Sequence, residues 1–182
     1  MEPKKENLFK EVLKFSLIAI LIVAPIRIFI AQPFIISGAS MEPTFTSSEY
    51  LIVDQLSYRF EEPKRGEVII FKYPNDPSVF FIKRIVGLPQ ETVKMQDGKM
   101  IIKNDEFPDG VLLEEPYIKE ETDDTFIAVL GKDEYFVLGD NRKHSSDSRI
   151  WGPLEERFIV GKAFARLLPI TEIEIKPGDH SR

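Results

Sequence analysis

The sequence predicts a mostly β protein, with an N-terminal transmembrane helix followed by an antiparallel, barrel-like β domain. Two observations predict this architecture. One long apolar segment, residues 15–31, follows a lysine-containing leader. Beyond residue 50 the apolar residues occur in short runs bounded by Gly, Pro, Asn or Asp, which is typical of strands and turns. We therefore expect a cytoplasmic leader at 1–14, an anchor at 15–31 and a β domain at 32–182.

The apolar segment is the first predicted element. As a helix its 17 residues span roughly 25 Å, slightly less than a hydrocarbon core of about 30 Å, and Lys14 and Arg27 can reach the two interfaces. Four lysines precede the segment, and neither Lys nor Arg occurs between Ile28 and Tyr58. The positive-inside rule then places the N-terminus in the cytoplasm and the β domain outside. The alternatives are a buried helix of a soluble domain and a secretory signal cleaved after Ala39.

The β domain follows from its short apolar runs. They lie at residues 67–71, 80–86, 100–102 and 135–138. An Asp-Gly pair at 97–98 predicts a hairpin, and 158–167 and 170–175 are predicted closing strands. The acidic stretch 105–124 is expected to be an irregular surface excursion without chemistry, and 176–182 a frayed end. Many short strands must hide their edges, so we expect a barrel-like closure.

Composition excludes several kinds of function. The 24 Lys and Arg residues against 30 Asp and Glu residues give a net charge of −6, without the basic cluster that nucleic-acid binding needs. The chain contains no cysteine, which excludes a thiolate nucleophile and cysteine-ligated metal. His144 and His180 lie far apart in the sequence, which argues against a histidine triad or a zinc site. We predict no metal and no cofactor.

Ser40 and Lys83 are the candidate catalytic pair. A serine hydroxyl is a weak nucleophile until a base takes its proton, and lysine can act as that base only when it is neutral. Burial favours the neutral form, and Phe81 and Ile85 lie on the same strand face as Lys83. Taken singly, each residue has a more ordinary interpretation, as a loop serine and an outward-facing strand lysine.

Four blocks of the sequence resemble the motifs of type I signal peptidases, the membrane-anchored Ser/Lys endopeptidases that remove signal peptides from exported proteins. They occur in the order of that family and begin directly after the apolar segment. The last block is the most specific, running from Gly139-Asp140-Asn141-Arg142 to Trp151-Gly152. The blocks lie at 37–44, 65–71, 81–89 and 139–153.

The resemblance implies a role for each matching residue. Ser40 would be the nucleophile and Lys83 the general base. Ser145 would donate or accept a hydrogen bond that orients the lysine amine. Asp147 and Arg149 would form a supporting ion pair that holds the site together.

Gly38 departs from the commonest pattern of the family. Many members carry a serine two residues before the nucleophile, and its hydroxyl helps to stabilise the oxyanion. The backbone N–H of Ser40 can supply one donor here. The second donor stays open between the Gly38 backbone, Ser37 and water.

The resemblance also implies the substrate and the setting. The expected partners are signal peptides of exported pre-proteins and the lipid bilayer, and the chain is expected to be monomeric, with an extracytoplasmic catalytic domain at the cell membrane. If the cleaved segment lies as an added β-strand, alternate small side chains at −1 and −3 enter two shallow apolar pockets. The candidate pocket walls are Phe34, Ile36, Phe81 and Ile82.

Two other functions compete with this interpretation. A non-catalytic, membrane-anchored β domain that serves binding or assembly would not bring Ser40 and Lys83 together. A self-cleaving Ser/Lys protease of the stress-response repressor type would normally carry a DNA-binding domain, and the sequence has no sign of one. The distance between Ser40 Oγ and Lys83 Nζ separates the first alternative from an enzyme.

Overall fold

The computed structural model describes residues 5–25, 31–120 and 122–181. Within them, helix α1 (Lys5–Pro25) comes first and a single-turn helix, α2 (Ser148–Trp151), lies late in the chain. Apart from short 3-10 turns, the remaining elements are strands. They are β1 (Ala31–Ile35), β2 (Tyr50–Asp54), β3 (Val68–Tyr73), β4 (Asp76–Gly87), β5 (Thr92–Gln96), β6 (Lys99–Lys103), β7 (Val111–Leu112), β8 (Phe126–Val129), β9 (Glu134–Leu138), β10 (Leu154–Glu155), β11 (Ile159–Leu168) and β12 (Glu174–Ile175).

The strands form two antiparallel sheets. The larger has the order β1-β2-β11-β3-β4-β9-β10, with β12 also paired to β11, and the smaller has the order β7-β6-β5-β8. The mostly β prediction is confirmed, whereas the barrel-like closure is wrong for the described strands. The end strands β1 and β10 do not pair with each other, and β10 contains only two residues. A very short edge strand limits unwanted pairing without closure.

Helix α1 differs from the predicted anchor at 15–31. It begins at Lys5 and ends at Pro25, so it includes Lys10, Glu11 and Lys14, and residues 26–30 lie outside the described part of the chain. Among the described residues, no helix combines the length and the apolar character needed to cross a membrane.

Three apolar clusters form the core and pack on the central strands of the larger sheet. Strands β3 and β4 lie at its centre and bury residues on both faces, which explains their continuous apolar runs. One apolar cluster lies on the β1–β2 side and another under β9. A third cluster joins the smaller sheet to the C-terminal half of β4 and β9. Lys83 is therefore the first residue of the buried C-terminal part of β4.

Several local predictions can be compared directly with the strands. The hairpin at 97–98 is confirmed, because β5 and β6 pair across it from Gln96 to Lys99. The strand predicted at 158–167 corresponds to β11. The one at 170–175 is mostly wrong, since it contains a 3-10 turn and only two strand residues. The frayed end is also wrong for 176–181, because Pro177 is buried against the domain.

Candidate active site

Ser40 and Lys83 meet where the turn after β1 approaches strand β4. Lys83 Nζ lies 2.8 Å from Ser40 Oγ and 2.8 Å from the carbonyl oxygen of Ile82. Ser40 lies in the turn after β1, where its carbonyl accepts a hydrogen bond of 3.0 Å from the Asn141 N–H. The next residue, Met41, is fully buried and fixes the turn on the core. The expected proximity of the two side chains is confirmed.

The surroundings of Lys83 favour its neutral form. The side chain is only 3% exposed, and the Phe81 ring lies 5.3 Å from its amine. Burial lowers the pKa of Lys83 from 10.5 to about 8, although Asp147 and Asp140 act in the opposite direction by stabilising the charge. About one molecule in ten then carries a neutral amine at pH 7, compared with fewer than one in a thousand for an ordinary lysine. The amine is therefore able to accept a proton from Ser40 near neutral pH.

Arg84 and Asp140 form an ion pair behind this site. Both side chains are completely buried, with Arg84 Nε 2.9 Å from Asp140 Oδ1 and Nη2 2.6 Å from Oδ2. Thr44 Oγ1 donates to the same carboxylate at 2.5 Å. This pair was not predicted from the sequence, although both residues belong to the family-like blocks. It ties strand β4 to the loop after β9 and to the turn that carries Ser40.

Asp147 and Arg149 form the predicted ion pair. Arg149 Nε lies 2.8 Å from Asp147 Oδ1, and Arg149 Nη2 lies 2.9 Å from Oδ2. The same buried carboxylate accepts the Gly139 N–H at 3.1 Å and caps helix α2. The pair therefore fixes both ends of the loop 139–149, which borders Ser40.

Ser145 does not make the hydrogen bond that the resemblance implied. Its hydroxyl is buried and has no hydrogen-bond partner within the described parts of the chain, because the Lys83 amine contacts Ser40 and Ile82 instead. The Ser145 hydroxyl nevertheless lies beside Gly139, next to the turn of Ser40. A Cβ added at Gly139 would lie 2.3 Å from Ser145 Oγ and 2.4 Å from the Ser40 carbonyl, so only glycine permits this approach.

The acidic stretch 105–124 is mostly exposed and irregular among its described residues, as predicted, but two of its carboxylates pair with arginines of the site loop. Arg142 is buried and pairs with Glu115 at 2.5 Å, and Arg149 pairs with Asp124 at 2.6 Å. Arg142 Nε also donates to the Gly139 carbonyl at 3.0 Å. These partners could not be predicted from local sequence patterns, because Glu115 lies 27 residues before Arg142.

An apolar cleft of about 310 Å³ opens beside Ser40 and Lys83. The structure brings all four predicted pocket residues to it, together with Gly38, which has a φ of +97°. The Phe34 and Phe80 rings make an edge contact at 5.3 Å. His144 and Ser146 also line the cleft but were not assigned by the sequence analysis. The predicted lining residues are Phe34, Ile36, Phe81 and Ile82. Within the described residues, no group of His, Asp and Glu side chains could hold a metal ion.

We expect Asp147→Asn to lower the free energy of unfolding by about 3 kcal/mol, because it removes one charge of a buried ion pair. Chemical denaturation at pH 7 measures the change. Glu120→Gln is the matched control, since it breaks the exposed pair with Lys143 and should leave stability unchanged. Equal losses in the two variants would contradict a structural role for the buried pair.

The fold and the site define a mostly antiparallel β protein with a serine beside a buried lysine in an apolar cleft. Residues 9–168 match the family described as signal peptidase, peptidase S26. A probable signal peptidase I-2 of Synechocystis sp. is 34% identical over 188 residues, which covers 100% of this chain and 83% of that relative. The signal peptidase I of Leptolyngbya laminosa is 35% identical, with 94% of this chain and 86% of the relative covered. The signal peptidase I T of Bacillus subtilis is 34% identical, with 93% of this chain and 91% of the relative covered.

The chain therefore belongs to the signal peptidase family, peptidase S26, as its sequence motifs indicated. Membership of this family implies a peptidase and supports signal-peptide cleavage as its activity.

Proposed function

We propose that this chain is a membrane-anchored serine endopeptidase that cleaves signal peptides from exported pre-proteins, with Ser40 as nucleophile and Lys83 as general base. The observation that carries the mechanism is the 2.8 Å distance between Ser40 Oγ and Lys83 Nζ. A non-catalytic β domain would have no need to keep these groups in contact, or to bury a lysine among apolar side chains.

The chemistry follows from the protonation of Lys83. The neutral amine takes the Ser40 proton while Oγ attacks the scissile carbonyl, and the resulting oxyanion needs backbone N–H donors such as that of Ser40. The lysine ammonium then gives its proton to the leaving amine, and the peptide bond breaks. A water molecule, deprotonated by Lys83, hydrolyses the acyl-enzyme and returns Ser40 to its starting form. Gly38 also lines the cleft, which supports its backbone N–H as the candidate for the second donor.

Substrate binding is proposed as strand addition in the cleft. β1 pairs with β2 on only one side among the described strands, and the first part of β4 pairs only with β3. An extended peptide between these edges would place alternate side chains against Phe34 and Ile36 on one side and Phe81 and Ile82 on the other. The small cleft favours short side chains.

We further propose that the enzyme acts at the outer face of a cytoplasmic membrane. The lysines of the leader and their absence from the following residues favour a cytoplasmic N-terminus and an extracytoplasmic β domain. A pre-protein held in the same membrane would meet the site at a raised effective concentration.

Cleavage of a model pre-protein tests the function and its specificity. Changing Ala to Leu at −1 should lower kcat/KM by about 100-fold, because a larger side chain displaces the scissile bond from Ser40. The same change at −2 is the matched control, since that side chain points away from the pocket in an extended strand and should change the rate little. Equal cleavage of both substrates would contradict the proposed binding mode.

A further inference from the structure

The segment 176–181 packs against the reverse side of the candidate active site. Arg84 Nη1 donates hydrogen bonds to the carbonyls of Gly178 and, at 2.7 Å, Gly66. The Tyr117 ring lies 3.9 Å from the Arg84 guanidinium and 5.3 Å from the His180 ring. This segment therefore completes the enclosure of an arginine that directly follows Lys83.

Gly178 is the point of closest approach. Its φ is +66°, and a Cβ added there would lie 2.3 Å from the Thr44 methyl carbon Cγ2. It would also lie 3.4 Å from Arg84 Nη2. Because Arg84 is completely buried and Thr44 is half-buried, an alanine here must displace either the segment or the Thr44 side chain.

Contacts lead from this point to the reacting atoms. Thr44 belongs to the turn of Ser40, and its hydroxyl and the Arg84 guanidinium share the Asp140 carboxylate. The residue after Asp140 donates its N–H to the Ser40 carbonyl. A displacement at Gly178 therefore acts on both sides of the pair, through Thr44 on Ser40 and through Arg84 on the strand that carries Lys83.

We propose, on the basis of the proposed cleavage reaction, that Gly178 is a positioning residue. It seats the 176–181 segment on Arg84 and Thr44 and so holds Ser40 in register with Lys83. The segment does not line the cleft, so this role concerns the rate of the chemical step and not the binding of the peptide.

Gly178→Ala should lower kcat by at least about tenfold and leave KM within about twofold, since sub-ångström misplacement of reacting groups slows the chemistry. Thr44→Ser removes the methyl that the new Cβ would meet but keeps the hydroxyl for Asp140. In the double variant Gly178→Ala/Thr44→Ser, kcat should therefore return to within about threefold of Thr44→Ser alone. Gly98→Ala is the strain control, because Gly98 has a φ of +71°, close to that of Gly178, and lies in the β5–β6 turn outside the cleft, and its kcat should stay at the wild-type value.

A second readout does not depend on cleavage. The NMR pH titration of the Lys83 side chain should shift in Gly178→Ala relative to Gly98→Ala and return in the double variant. The proposal is overturned by an unchanged kcat in Gly178→Ala, by a loss that Thr44→Ser does not relieve, or by a loss confined to KM. Failure of the proposed function would look different, because the wild-type chain itself would then leave the pre-protein intact.

Discussion

Replacing Ser40 with alanine is expected to reduce kcat/KM for pre-protein cleavage by about four orders of magnitude or more. The reason is that Ser40 Oγ is the atom proposed to form the bond with the substrate, and alanine supplies no nucleophile. Lys83 loses its contact with Oγ but keeps the Ile82 carbonyl as a hydrogen-bond partner. The variant should therefore fold normally, and timed gel assays of a purified pre-protein would measure the lost activity.

A second serine of the loop between β1 and β2 provides the control. Ser47 is exposed and does not line the cleft, so Ser47→Ala should cleave at the wild-type rate. Equal melting temperatures for the two variants would exclude unfolding as the cause of the lost activity. Substantial cleavage by Ser40→Ala would remove Ser40 from the mechanism and favour the non-catalytic β domain or a contaminating peptidase.

The catalytic pair could be predicted from the sequence better than the buried ion pairs that hold the site loop in place. Ser40 and Lys83 could be paired because the chemistry of a serine hydroxyl demands a base and histidine is scarce, which leaves a lysine in an apolar strand as the candidate. The Asp147–Arg149 pair was implied by the resemblance to type I signal peptidases and not by the residues alone, although its partners lie only two residues apart. The hairpin at 97–98 followed from turn chemistry alone.

The missed contacts join residues that are distant in the sequence. Asp140 lies 56 residues from Arg84, and Arg142 lies 27 residues from Glu115, so no local pattern predicts either pair. The Ser145 hydrogen bond was inferred from resemblance, and the actual direction of the Lys83 amine depends on the local path of β4. The predicted barrel closure was wrong because short apolar runs indicate where strands lie but not which edge strands pair with each other.

Burial of Lys83 should lower the free energy of unfolding at neutral pH. Its pKa is about 8 in the folded chain and 10.5 in the unfolded one, so between these values the unfolded chain binds more protons and stability rises with pH. Below about pH 8 both states are protonated and the full cost of about 3 kcal/mol is present. Above about pH 10.5 both are neutral and the cost disappears. Lys83→Met should therefore be more stable than wild type at pH 7, with the difference shrinking as the pH rises from 8 to 10.5.

The same variant is expected to lose about 1,000-fold or more in kcat/KM, because methionine has a similar length but cannot take a proton from Ser40. In the wild-type chain, kcat/KM should rise with pH along an acidic limb whose midpoint lies near pH 8, where half of the Lys83 amines are neutral. Any residual activity of Lys83→Met should lack that limb. A more stable but inactive variant would separate the catalytic role of the amine from its effect on folding. An acidic limb that persists at the same pH in Lys83→Met would assign the titration to another group and contradict lysine as the general base.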